Sequence, residues 1–247
     1  TLKMAGMMGI PTLIQEQNSY AGVTNKLLAK KACKICVAYD GMERFFEKDK
    51  IILTGNPVRQ GLRNHHISRE EAIRSFGLDP SKKTILIVGG SLGARTINNC
   101  VMEGLDKIKT SGAQFIWQTG KIYIDEARAA VAQAGELPML HVTDFISDMA
   151  AAYSAADLII SRAGAGSISE FCLLQKPVIL VPSPNVAEDH QTKNALALVN
   201  KNAALYIKDA AAKEALLDKA VETVKQPETL KSLSTNIAKL AFTDSAN

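Results

Sequence analysis

The chain has 247 residues, 47% hydrophobic and 22% charged, enough for one large or two ordinary α/β domains with a substantial core. The formal net charge of +4 arises from basic residues interspersed with acidic ones, which gives no footprint for nucleic acid. Apolar runs fall short of the ~18–20 residues that span a bilayer, and the opening TLKMAGMMGIPT lacks the ordered features of a signal peptide.

That opening stretch reads as the end of a helix running into a strand, entered in mid-pattern and without an initiating Met. An earlier part of the first domain is therefore expected before Thr1. Nine short apolar runs follow, each ended by a turn: TLIQ, KICVAY, KIILTG, TILIVGG, AQFIWQTG, LHVTDF, ADLIISRAG, KPVILVPS and AALYI. Helical patterns such as TNKLLAKKA, ARTINNCVMEGLDKIK and QTKNALALVNK lie between many of them. Strand, turn and helix in repetition predict parallel sheets with helices on both faces, a doubly wound α/β architecture.

The boundary is placed in LTGNPVRQGL, Leu53 to Leu62, where Gly55, Asn56 and Pro57 form turns and the following RNHHISREEAIRSFGLDPSKK is polar. Residues 1–58 then form the second half of one domain. Residues 59–225, with six strand candidates, form a complete Rossmann-like domain. The last helical stretch, 226–247, packs back across the boundary.

Cys33, Cys36, Cys100 and Cys172 include one C-x-x-C but no second close pair, and His65, His66, His141 and His190 do not supply the missing ligands. Inert, reduced thiols are expected, with no metal and no cofactor.

In open parallel sheets ligands bind beyond the carboxyl ends of the strands. ILIVGGSLGARTIN places Gly89, Gly90, Ser91, Leu92 and Gly93 where a helix start could take a phosphate. Its G-G-x-x-G spacing is not the dinucleotide fingerprint, so a plain tight turn is the equal alternative. In SRAGAGSISEF, Ser167 and Glu170 fit a capping box, yet Gly164 and Gly166 leave bare backbone that admits a bulky ligand. A carboxylate there can accept both hydroxyls of a ribose. PSPNVAEDHQTKNA offers His190 and Gln191 to sugar hydroxyls, or simply a solvated helix start at Asp189. LIQEQNSYAGVTNK crowds Glu16, Gln17 and Asn18 at a strand end, to meet a hydroxyl-rich ligand or to make the turn.

Taken in order, QEQNSYAGVTNK, GNPVR, VGGSLGAR, TDFISDMAAAYSAADLIISRAGAGSISE and DHQTKNA resemble the MurG-type N-acetylglucosaminyltransferases of peptidoglycan synthesis, weakest over residues 60–82 and after 208. The resemblance implies a GT-B fold of two Rossmann-like domains, the first incomplete here. It implies inverting transfer of N-acetylglucosamine from UDP-N-acetylglucosamine (UDP-GlcNAc) to the muramyl-pentapeptide on undecaprenyl diphosphate, lipid I to lipid II, without a metal. Glu170 is then the ribose partner. Ala165, Gly166, Ser167, Ile168 and Ser169 line the diphosphate and sugar, and Ser91 holds a phosphate. Ile146, through its main chain, and Arg59 meet the uracil, while Asn18 and Gln191 read sugar hydroxyls. The general base is expected before Thr1, so the 247 residues alone are expected to bind donor without transferring it. Gln15 stands where the resemblance leads one to expect His. Peripheral contact with the cytoplasmic membrane leaflet is also implied, through Met4, Met7 and Met8 with Lys26, Lys30, Lys31 and Lys34, although methionines in a core and solvated lysines fit the sequence equally. The rival readings are a UDP-sugar 2-epimerase and a non-catalytic UDP-sugar-binding fragment.

Overall fold

A computed structural model describes residues 1–62, 67–90, 92–243 and 245. In the first part, α1 (Leu2–Met7) leads into β1 (Leu13–Glu16), α2 (Val23–Ala29), β2 (Lys34–Val37) and β3 (Ile51–Leu53). The three strands form one parallel sheet in the order β1-β2-β3. Ile14, Ile35, Val37, Met42 and Phe46 fill its core.

The second part runs α3 (Arg69–Ser75), β4 (Thr84–Val88), α4 (Arg95–Glu103), α5 (Leu105–Thr110), β5 (Gln114–Gln118), α6 (Ile124–Ala134), β6 (Leu140–Thr143) and α7 (Met149–Ala155). It continues with β7 (Leu158–Ser161), α8 (Ala165–Leu173), β8 (Val178–Leu180), α9 (His190–Val199), β9 (Leu205–Tyr206), α10 (Ala212–Val224) and α11 (Pro227–Ala238). Its six parallel strands are ordered β6-β5-β4-β7-β8-β9. The chain starts in the middle, works outward to β6, returns beside β4 as β7 and works outward the other way. This is the doubly wound Rossmann order, whose direction reverses between β4 and β7.

Residues of β4, β5, β7 and β8 are buried along their whole length. Helices cover both sheet faces, so these strands read as continuous apolar runs instead of alternating ones. Alternate residues serve opposite layers. Leu86, Val88, Ile116, Ile159, Val178 and Leu180 join the layer that includes α7 and α8. Ile85, Ile87, Phe115, Trp117, Ile160 and Ile179 join the layer of α4 and α10. Each such side chain, fully buried, contributes about 1.5–3 kcal/mol. Polar groups buried beside this layer pair with one another: Trp117 Nε1 donates to Asn98 Oδ1 at 3.0 Å, and Asn98 Nδ2 donates to the Thr119 carbonyl at 2.8 Å.

The nine strands fall on the nine apolar runs, but the helix starts differ from expectation. Residues 69–75, expected as polar linker, form α3. Ser68 caps it, accepting from the Glu71 amide while the Glu71 carboxylate accepts from Ser68. The capping box expected at Ser167 and Glu170 is absent, because α8 already begins at Ala165, with Gly164 as its N-cap. The glycine-loop helix starts at Arg95. Helix α11 packs on α8 and α10, and the segment after it brings Phe242 against Gly55. The four cysteines are free thiols, with Cys100 and Cys172 buried.

Candidate functional site

The reversal of strand order puts the loops after β4 and β7 side by side on one edge of the sheet, opposite the end of β1. Helix α8 points its N-terminus into this space. The amides of its first residues, Ala165, Gly166 and Ser167, have no carbonyl four residues back within the helix and carry its positive dipole end. Ala165 and Ile168 are themselves buried, so they reach a ligand only through main chain, while Gly166 is exposed.

Neither glycine here is required by the fold. A Cβ on Gly166 would meet nothing within 4 Å, and one on Gly164 only Ser167 Oγ at 4.0 Å. Neither has a positive φ. A glycine inside a helix costs about 1 kcal/mol relative to alanine, so Gly166 weakens α8 with no packing gain.

Glu170 lies one and a half turns into α8. Its Oε2 accepts from the Tyr153 hydroxyl at 2.6 Å and its Oε1 from Arg59 Nη2 at 3.1 Å and Nε at 3.3 Å. The first is a short charge-assisted bond from a buried partner and fixes the carboxylate's orientation. Burial, followed by the nearby carboxylate, drives the Tyr153 phenol well above its ordinary range, so it remains a neutral donor. The Arg59 side chain is 65% exposed, and such ion pairs are worth about 0–1 kcal/mol. A ribose could therefore take the place of Arg59 on Oε1 at little cost.

The glycine loop is shaped by its neighbours. Gly90 and Gly93 have φ of 85° and 80°, and a Cβ on Gly93 would collide with the Thr119 carbonyl. Gly120, with φ of 80°, abuts the Gly93 backbone in turn. Ser91 lies outside the described residues. Gln118, buried at the end of β5, donates to the Gly90 carbonyl at 3.3 Å and accepts the Ile146 amide at 3.0 Å. Since the Ile146 N–H is taken and its side chain buried, its contact with a base would run through its carbonyl.

On the facing wall, Glu16 is 2% exposed and accepts from the Asn18 amide, Asn18 Nδ2, the Gly22 amide and Asn25 Nδ2, at 2.8–3.3 Å. It anchors the 17–25 loop and has little capacity left for proton transfer. Asn18 Oδ1 accepts from Asn194 Nδ2 at 3.0 Å, and Asn194 Oδ1 accepts the Ser19 amide at 2.9 Å. Gln191 Oε1 accepts the amides of Ala163 and Ser183 at 3.2 and 2.9 Å, which turns its amide group into the part that can meet a ligand. Ser169 Oγ donates to the Ala165 carbonyl at 3.0 Å and accepts from Asn56 Nδ2 at 3.2 Å. Asn56, Gln118, Tyr153 and Asn194 were not among the sequence candidates. Beside them, Glu188 and Asp189 hold φ of 53° and 54° ahead of α9, a conformation uncommon outside glycine. Hydrogen bonds thus join Arg59 to Glu170 of α8, Gln191 of α9 to Ala163 just before α8, Asn18 to Asn194 of α9, and Ile146 through Gln118 to the glycine loop.

The glycosyltransferase family 28 C-terminal domain model matches residues 84–247. The chain is 99% identical over all 247 residues to a UDP-N-acetylglucosamine–N-acetylmuramyl-(pentapeptide) pyrophosphoryl-undecaprenol N-acetylglucosamine transferase of Phocaeicola vulgatus, spanning 66% of that protein's length. It is 56% identical to the protein of the same name in Porphyromonas gingivalis, spanning 65% of it. Among solved structures, that of Acinetobacter baumannii MurG is 30% identical with a TM-score of 0.78, covering 99% of this chain and 68% of that one. A protein described as a putative UDP-N-acetylglucosamine 2-epimerase from Listeria monocytogenes shares the fold at 13% identity, with a TM-score of 0.69.

Proposed function

The chain belongs to glycosyltransferase family 28, and from that premise we propose that it forms the donor-nucleotide side of an inverting transferase. The reaction is transfer of N-acetylglucosamine from UDP-GlcNAc to the muramyl-pentapeptide on undecaprenyl diphosphate. Its fold is of the GT-B type. The observation that carries the reading is the bare start of α8 followed by a carboxylate already oriented by Tyr153. Amides of residues 165–167 would take the diphosphate and Glu170 the ribose hydroxyls. Uracil would lie between Arg59 and the Ile146 carbonyl, and the sugar between Asn18 and Gln191.

The chemistry follows from charge. When the bond to the anomeric carbon breaks, the leaving diphosphate gains negative charge, and preorganised amides at a helix start stabilise it without reorganisation. An epimerase needs carboxylates free to move protons in the cleft, and the four bonds to Glu16 disfavour that alternative.

Contact with an anionic membrane surface is part of the proposal. Met4, Met7 and Met8 are 56%, 60% and 71% exposed; Lys30, Lys31 and Lys34 are exposed as well, with Lys31 lying along Gly6 of α1. Each lysine near such a surface is worth about 1 kcal/mol. No helix among the described residues is long and apolar enough to cross a membrane. Sedimentation with anionic vesicles is expected to exceed that with neutral ones, and equal sedimentation removes the membrane contact.

Calorimetric titration with UDP-GlcNAc tests the donor site. Glu170→Ala is expected to weaken binding at least 10-fold, about 1.4 kcal/mol. Unchanged affinity would overturn the assignment.

A further inference from the structure

Gln118 ends β5, the strand that lies between β4 and β6. In register it stands beside Val88 of β4 and Thr143 of β6, so its side chain is within reach of the loops that leave both neighbours. It bonds to both. Oε1 accepts the Ile146 amide at 3.0 Å on the β6 side, and Nε2 donates to the Gly90 carbonyl at 3.3 Å on the β4 side. At 4% exposure the group has little access to water that could replace either partner. One side chain thereby ties the loop proposed to meet the base to the glycine loop.

The rest of the base-side loop is held without Gln118. The Thr119 amide donates to the Thr143 carbonyl at 2.9 Å, the Gly120 amide to the Asp144 carbonyl at 3.1 Å, and Thr143 Oγ1 to the Phe145 carbonyl at 3.1 Å. Ile146 is the exception. Its amide goes to Gln118, its side chain is buried, and its carbonyl accepts from no donor among the described residues.

A carbonyl can only accept, so it favours a base whose pairing edge carries an N–H at its centre. Uracil has that donor at N3. Cytosine has a lone pair there, and its donor is the neighbouring exocyclic amine. Sliding cytosine to bring the amine to the carbonyl would pull the ribose away from Glu170 and the diphosphate away from the start of α8. Arg59 carries donors only and can serve the O2 that both bases share.

We propose that Gln118 is the positioning residue behind base selection. By occupying the Ile146 amide it leaves a lone acceptor for the base, which admits a pyrimidine with N3–H and refuses cytosine. The inference rests on the donor-site reading above and adds the residue that sets its base.

Calorimetric titration of the 247-residue chain with UDP and with CDP tests it. The protein is expected to bind UDP at least about 10-fold more tightly than CDP, the value of one hydrogen bond. Gln118→Met keeps the length of the side chain and removes both bonds. With its amide released, residue 146 can offer a donor as well as an acceptor, and the preference is expected to fall below about 3-fold. Gln118→Glu keeps an oxygen for the Ile146 amide and should retain the preference of the unaltered protein. A merely structural role would weaken both nucleotides alike and leave their ratio untouched. An unchanged ratio in Gln118→Met, a lost preference in Gln118→Glu, or equal affinity for UDP and CDP in the unaltered protein would each overturn the proposal, while UDP binding would still uphold the donor site. Binding of neither nucleotide would instead refute the donor-site reading, and this inference with it.

Discussion

Asn56 and Ser169 stand 113 positions apart in the chain and share a hydrogen bond of 3.2 Å. The same Asn56 amide donates to the Gln17 carbonyl at 3.0 Å, so one side chain at the connection joins the loop after β1 to helix α8. The facing wall and the proposed diphosphate-binding helix are thereby held in one arrangement.

Asn56→Ala removes both donations, one to the part-buried Gln17 carbonyl and one to the part-buried Ser169 hydroxyl. A loss of about 1–3 kcal/mol in unfolding free energy is expected from chemical denaturation. A change below a few tenths would show that the two bodies do not depend on this bridge.

Gly166→Ala separates stability from function. The position is helical and open, so alanine is expected to raise stability by about 0.5–1 kcal/mol. UDP-GlcNAc affinity should fall in the same protein, because the added methyl stands over the amides offered to the diphosphate. A more stable variant with unchanged affinity would mean that no ligand approaches Gly166.

Tyr153→Phe leaves the ring contact with Phe171 in place (centroids 5.9 Å apart) and deletes only the hydroxyl that orients Glu170. Donor affinity is expected to drop roughly 3- to 10-fold, the value of a charge-assisted bond partly recovered by water. Far-ultraviolet circular dichroism should be unchanged. Equal affinity would show that Glu170 needs no such orientation.

Acid should act through Asp157. Burial alone would raise its carboxyl, but the Thr84 amide at 2.9 Å, Arg69 at 2.7 Å and Lys83 at 3.0 Å hold it below the ordinary carboxylate range. A carboxyl depressed on folding stabilises fully above its unfolded value, about 3.9, and loses that contribution as pH falls through the lower folded value. Urea titrations of the protein and of Asp157→Asn should therefore differ at neutral pH and draw together as pH falls below the ordinary carboxylate value of about 3.9. A constant difference across that range would remove Asp157 from the acid response.

The strands were legible because β4, β5, β7 and β8 are buried on both faces, and burial on both faces leaves an uninterrupted apolar run. The turns after them were legible for the same reason, as small and polar residues breaking such runs. Helix α3 was missed because its exposed face dominates RNHHISREEAIRSF, although Ser68 and Glu71 carried the capping signal three residues apart. Within the site, Glu170 and Gly166 announced themselves by residue type. Asn56, Asn194 and Tyr153 did not, since their meaning comes from partners 17 to 176 positions away. Gln118 could have been noticed as a lone amide closing the run FIWQ.

Gly93 and Gly120 sit where backbone presses on backbone: a Cβ on Gly120 would strike the Gly93 main chain, and one on Gly93 the Thr119 carbonyl just before Gly120. Replacing either cannot be rescued by trimming a neighbouring side chain, because the nearest obstacle is main chain in both cases. Efforts to retune the proposed sugar-nucleotide site should therefore leave this pair alone and randomise the walls on either side of it.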